Sequence, residues 1–320
     1  MKKTMNIFVL SFLLTSILFI NQAAAFETGQ ADFSLIYQDL EIPFQTFSIF
    51  VLPEKQIKLT IASQDRDHVY SFQYQAGKFI AEINHSYQWQ APAKPGNYKL
   101  VIKLRGSEQR TAMIKLNVFV LYPRSKKNGN YLNGFRIGNY PDLTSVRQKY
   151  YSLPPGFWEI KANMLDLNLT PHFKVKQFLT KQSSSFPQYI FLQEKLLLKL
   201  EYFLAEVNKA GYAASTFNTV SVYRTPYFNT KLGNDTLFSR HLFGDAADIY
   251  LDSDQNKYMD DLNKDGKINQ ADADILLNLA VEFDKNPAYS NLQGGIGSYP
   301  GNNVRGPFIH LDTRGFHVAW

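Results

Sequence analysis

Cysteine is absent from all 320 residues. No side chain can act as a thiolate nucleophile, close a disulfide, or hold zinc or an iron–sulfur cluster through sulfur. Any metal site must therefore use histidine, carboxylate or carbonyl oxygen, and the chain offers six histidines. Charge is sparse as well, at 19% of residues against 45% hydrophobic, a balance that supports packed cores and excludes a disordered or collagen-like polymer. The length suits two domains at roughly 150 residues each. Basic residues are dispersed without an aromatic–basic platform, so nucleic acid is not an expected partner. Neither Ser221 nor Ser239 sits in a Gly-x-Ser-x-Gly elbow, which argues against a serine nucleophile of that type.

What is present begins with Lys2 and Lys3, followed by an uncharged apolar run from Ile7 to Ile20 and then Ala23-Ala24-Ala25. A basic start, an apolar middle and small residues at the end describe a secretory signal peptide over residues 1–25, cleaved after Ala25. The run is shorter than the roughly 20 residues that span a bilayer, so no stable membrane insertion is expected after cleavage. The mature chain is expected in the periplasm or outside the cell, where a lack of stray thiols makes sense. Losing Lys2 and Lys3 lowers the net charge from +6 to +4, too little to identify a partner.

Residues 26–122 contain short alternating runs, among them 44–51, 57–61, 69–74, 98–104 and 113–120, separated by turn clusters such as Lys94-Pro95-Gly96-Asn97. Period-two runs of β-branched and aromatic residues predict a small antiparallel, immunoglobulin-like β-sandwich. No titratable cluster stands out in it; His68 and His85 read as packing residues. From 123 to 160 the glycines and prolines, including Pro154-Pro155-Gly156, read as a linker. Beyond it, apolar residues at 192, 196, 197, 200, 203, 204 and 207 have helical spacing and Gly211 follows as a stop. Runs at 219–223, 246–250 and 308–312 read as strands. The expected fold class is α+β, with the sandwich first and an α+β domain over 161–320.

The chemistry concentrates in that second part. Gly244 breaks a helix after His241, so the histidine is expected on a turn leading into the strand of Asp248. A carboxylate flanked by Ala246, Ala247, Ile249 and Tyr250 needs a partner, because an unpaired buried charge is costly. His310 and Asp312 are two apart in a strand, on one face, with α-carbons roughly 6.6 Å apart. Two histidines, one carboxylate and an open position form a catalytic zinc arrangement. The alternative is a pair of buried histidines hydrogen-bonded to aspartates without metal.

Ser221-x-Tyr-Arg224-x-Pro-x-x-Asn229, Ser239-x-His241-x-x-Gly-x-Ala-x-Asp248, Gly-Ile-Gly-x-Tyr299 and Phe-Ile-His310-Leu-Asp312 stand in that order before a terminal tryptophan. This set resembles the zinc D-alanyl-D-alanine carboxypeptidase family, and more closely its branch of bacterial cell-wall peptidases, from about Thr170 to Trp320. The resemblance implies zinc held by His241, Asp248 and His310, and a substrate site that includes Ser239, Tyr223 and Asn229. Arg224 would bind a substrate carboxylate or stabilise an oxyanion. Several members of the wider family carry an acidic base three residues before the last histidine; here that position is Pro307. Asp312 would then be the general base, or a group that orients His310. His317 is a weaker candidate donor, and His172 reads as a capping or packing residue. The implied function is an exported zinc peptidase that hydrolyses amide bonds in peptidoglycan stem peptides or cross-links. The alternative is an inactive wall-binding or adaptor protein.

Between these motifs, residues 252–285 form an insertion. Asp261, Asn263, Asp265, Asn269 and Asp272 fall at positions 1, 3, 5, 9 and 12 of an EF-hand loop, with Gly266 at 6 and Ile268 at 8. Lys267 would offer its carbonyl. Aspartate at position 12 resembles dockerin-type loops, and a helix from about Ala271 to Phe283 should follow. A single copy reads as a calcium-bound structural clip.

Overall fold

The computed structural model describes residues 26–63, 68–233 and 236–320. The expected signal peptide lies outside the described residues.

Alternation builds the first part as foreseen. In Gln56–Ala62 the side chains of Ile57, Leu59 and Ile61 turn inward while Gln56 and Lys58 face out. Nine strands form here: β1 Gln30–Tyr37, β2 Leu40–Phe44, β3 Thr46–Val51, β4 Gln56–Ala62, β5 Tyr70–Tyr74, β6 Lys78–Ile83, β7 Ser86–Gln90, β8 Gly96–Leu104 and β9 Met113–Val120. They make a five-stranded sheet, β2-β1-β4-β7-β6, and a four-stranded sheet, β3-β9-β8-β5. Phe33 against Tyr70 and Phe72 against Tyr87, both at 4.8 Å between ring centres, close the space between the sheets.

Two expectations need correction. The run 44–51 is not one strand, because the chain crosses between sheets at Gln45 and leaves β2 and β3 on opposite layers. The domain is also not wholly antiparallel: β3 enters the second sheet beside its last strand and runs parallel to β9, from Thr46 opposite Lys115 to Val51 opposite Val120.

Residues 123–160 are folded rather than a free connector. β10 Tyr122–Pro123, β13 Gly156–Ile160 and β14 Gln188–Ile190 form a three-stranded sheet, and β11 Tyr131–Leu132 pairs with β12 Phe135–Arg136. Trp158 of β13 is buried with its ring 4.1 Å from Phe119 of β9. The four-stranded sheet also meets α1, Glu194–Lys209, where Glu194 Oε1 accepts the Phe50 N–H at 2.8 Å. Burial pushes the Glu194 carboxyl up to about 7, against the pull of its backbone hydrogen bonds.

The helix expected near 191–210 is α1; Leu196, Leu197, Leu200, Phe203, Leu204 and Val207 are its buried face. It ends at Gly211, whose φ of +96° is left-handed. After α1 come β15 Asn218–Ser221, α2 Pro226–Lys231, β16 Ala246–Tyr250, α3 Gln270–Lys285, β17 Gly295–Tyr299, β18 Phe308–Asp312 and β19 Val318–Ala319. The strands form one sheet in the order β15-β16-β18-β17-β19, and α3 lies against β17 and β18. The protein is thus α+β and rich in sheet. Among the described residues no helix is long and apolar enough to cross a membrane.

Candidate metal centre

Strand register assembles the centre. Ser221 of β15 pairs with Asp248 of β16, Asp248 with His310 of β18, and His310 with Gly297 of β17. Residues in one register row share a face. The row is completed by Trp320, because a Cβ on Gly297 would lie 2.4 Å from its Nε1; only glycine lets that indole approach the strand. The Trp320 ring sits 5.5 Å from that of His310.

His241 reaches this row from a 3₁₀ turn, Arg240–Phe243, which stops at Gly244 with φ +70°. The turn matches the sequence expectation. His241 Nδ1 donates to the Val222 carbonyl at 2.5 Å, which leaves Nε2 facing Asp248 Oδ1 at 3.2 Å. His310 Nδ1 lies 2.9 Å from the same Oδ1, and its Nε2 lies 3.2 Å from Asp312 Oδ2. The structure therefore brings His241, Asp248 and His310 together, all buried, with one ligand atom of each within 4.8 Å of the others. Each histidine has its distal nitrogen held by an oxygen acceptor and its proximal nitrogen aimed at the shared carboxylate. Two imidazole nitrogens and one carboxylate, oriented in this way, fit zinc.

The electrostatics follow from burial. Desolvation holds His241 below its ordinary pKa, with Arg224 and His310 adding to the effect against Asp248. For His310 desolvation is outweighed by hydrogen bonds to Asp248 and Asp312, and its pKa is pushed up to about 9. Burial would raise Asp248, yet the two histidines pull it well below the carboxylate range.

Asp312 is fully buried and outside the cleft wall. Its Oδ1 accepts from the N–H groups of Gly295 at 2.8 Å and Arg314 at 3.0 Å, and the Arg314 guanidinium binds both oxygens. Those bonds match a group that orients His310 better than a general base. Arg224 is committed too: Nε donates to Ser221 Oγ at 2.8 Å and Nη2 to Asp248 Oδ2 at 2.7 Å.

A cleft of about 650 Å³ opens over the histidines. Four arginines line it, Arg224, Arg240, Arg305 and Arg314, with Tyr299, Phe308 and Trp320 as aromatic walls. Ser239 lines it as expected. Tyr223 and Asn229 do not: Tyr223 is buried with its hydroxyl on that of Tyr140 at 2.7 Å, and Asn229 is buried beneath the wall, its Nδ2 on the Thr236 carbonyl. His317 is drawn away by Asp284, with Nδ1 at 3.1 Å from Oδ2, so it is not placed as a donor in the cleft. His172 packs, as foreseen, between Glu201 and Phe26.

The acidic loop is built of side chains capping their own backbone. Asp261 accepts from Asp265 and Gly266 N–H, Asn263 from Asp265 N–H, and Asp265 from Lys267 N–H. Asp272 is buried and takes the N–H groups of Leu262 and Asn269, which ties the loop to the first turn of α3. Part of its turn geometry recurs upstream. Asp252, Asp254 and Asn256 repeat its bonds nine residues earlier, and Gln255 and Lys257 repeat the positive φ of Lys264 and Gly266. Asp252, Asp254 and Asp260 have carboxylate oxygens within 4.8 Å of one another. The nine-residue offset was present in the sequence, but Lys257 stands where the motif has glycine and hid it.

No family model matches the chain, and no curated protein matches it. Among solved structures it is similar to a nucleoside hydrolase-related hypothetical protein from Saccharophagus degradans associated with carbohydrate metabolism. That likeness has 12% identity and a TM-score of 0.22, and covers 28% of this chain and 26% of that one. It is too slight to inform fold or function.

Proposed function

We propose that this chain is an exported zinc-dependent peptidase that hydrolyses amide bonds in peptidoglycan stem peptides or cross-links. The observation that carries the reading is the convergence of His241, Asp248 and His310 under an open, arginine-lined cleft. Zinc, when bound, supplies a Lewis acid for the scissile carbonyl and for water. The chain's own residues do the rest. Val222 and Asp312 fix the imidazoles, Ser221 holds Arg224 and Arg224 fixes Asp248, and the aromatic walls flank an extended peptide. The arginines favour an anionic substrate. The sandwich, which we assign to the immunoglobulin-like class, serves as the attachment or spacing unit. The loop at Asp261–Asp272 holds calcium, with side-chain oxygens of Asp261, Asn263 and Asp265 and the carbonyl of Lys267 as ligands and Asp272 as the anchor to α3.

The test is incubation of zinc-loaded mature protein with purified muropeptides, with His241→Ala as control. New fragments from the parent protein alone are expected; absence of zinc by elemental analysis sinks the reading. A second reading, a wall-binding or adaptor protein without turnover, is favoured by one observation. Asp312 has both oxygens engaged and Pro307 stands where several members of the family it resembles have an acid, so among the described residues the cleft wall offers no carboxylate besides Asp248. Zinc and muropeptide binding without fragments would select it.

A further inference from the structure

The cleft contains more positive charge than its own acids neutralise, and the arginines divide sharply by what they touch. Arg224 is spent on Ser221 and Asp248. Arg314 is spent on Asp312. Arg240 bonds Asp245 and the carbonyl of Tyr150. Arg305 is different: it is exposed and makes no ion pair among the described residues.

Arg305 is nonetheless not a loose surface side chain. Its backbone is closed into a turn, with Asn302 N–H donating to the Arg305 carbonyl at 2.8 Å and Asn302 Oδ1 accepting the Arg305 N–H at 3.1 Å. Its guanidinium lies over the Phe308 ring at 4.5 Å, and Phe308 stacks on Tyr299 at 5.0 Å with planes 6° apart. A guanidinium resting over an aromatic face has lost part of its rotamer freedom while its N–H donors stay available, which suits recognition of a carboxylate.

We propose that Arg305, stacked on Phe308, is the specificity-determining residue that captures a carboxylate of the peptide substrate, and that Arg224 positions Asp248 instead. The proposal rests on the peptidase reading above and narrows its substrate to peptides with a free carboxylate close to the scissile bond. The resemblance assigns that task to Arg224, whose Nε and Nη2 are here engaged by Ser221 and Asp248.

The experiment uses N-acetyl-D-alanyl-D-alanine as the free acid and as its C-terminal amide. Binding is read from Trp320, which lines the cleft, by fluorescence titration of the zinc-free and zinc-loaded protein; turnover is read in parallel. Arg305→Gln is expected to weaken free-acid binding by about tenfold to a hundredfold, the range of a charge-assisted hydrogen bond, while leaving the amide unchanged. Arg305→Lys should recover part of the loss. Because Arg305 is exposed, both variants should melt at the parent temperature. Equal binding of acid and amide by the parent protein, or no change in Arg305→Gln, overturns the proposal and leaves the peptidase reading standing if turnover persists. A parent protein that binds neither probe and retains no zinc overturns both.

Discussion

Asp312 Oδ2 stands 3.2 Å behind Nε2 of His310, and Arg314 holds that carboxylate in place. A metal-ligating imidazole gains orientation and basicity from such a partner, and losing one costs about 10- to 100-fold in metal affinity. Asp312→Asn is accordingly expected to weaken zinc binding by that factor, measured by competition with a chromophoric chelator. Unchanged affinity would show that His310 does not need its carboxylate.

Arg224→Lys keeps the charge but cannot span Ser221 and Asp248 together. The expected result is a fall in kcat of at least tenfold with KM for the free-acid peptide nearly constant. A raised KM with constant kcat would instead identify Arg224 as the substrate clamp and count against Arg305.

Beneath the sheet, Lys199 of α1 is fully buried; its Nζ donates to Asp284 Oδ1 at 2.7 Å and to the Asp312 carbonyl at 2.9 Å. Removing one partner of a buried pair leaves the other uncompensated, at about 3–5 kcal/mol. Lys199→Met should lower stability by this amount in denaturant unfolding. A change below about 1 kcal/mol would mean that Asp284 finds relief from Gly294 and His317 alone.

Glu194 predicts a pH dependence. Its folded pKa, about 7, lies above the ordinary value of 4.5. Between those values the unfolded chain ionises first, so stability falls as pH rises through the window and levels off above about 7. The loss should be about 1 kcal/mol or more, and Glu194→Gln should flatten the slope of melting temperature against pH. An identical slope in the variant would place the effect elsewhere.

For the acidic loop, calcium should raise the melting temperature of the parent protein by several degrees through linkage. The rise should vanish in Asp261→Ala. Persistence of the full rise in that variant would point to the upstream loop at Asp252–Asp260.

Much of this was legible in the sequence. Strand alternation at Ile57–Leu59–Ile61, the helix ending at Gly211 and the turn stopped by Gly244 each follow from local rules, and the structure has them. Same-face placement of His310 and Asp312 needed only the period of a strand. Partners set by tertiary contact were not legible. Nothing near Tyr223 in the chain reveals the Tyr140 hydroxyl 83 residues away that draws it under the surface, and nothing near Arg224 reveals that Asp248 would occupy it. The crossing at Gln45 was hidden because both sides of it alternate equally well.

The register row from Ser221 through Asp248 and His310 to Gly297 has a consequence for how such a centre can change. Ligand spacing is here a property of four paired backbones, so a one-residue insertion or deletion inside β16 or β18 would turn a ligand to the opposite face and abolish the centre in one step. The turn that carries Arg305 is under no such constraint. In the proposed peptidase, selectivity would drift through that turn, residue by residue, while the frame that would hold the metal stays fixed.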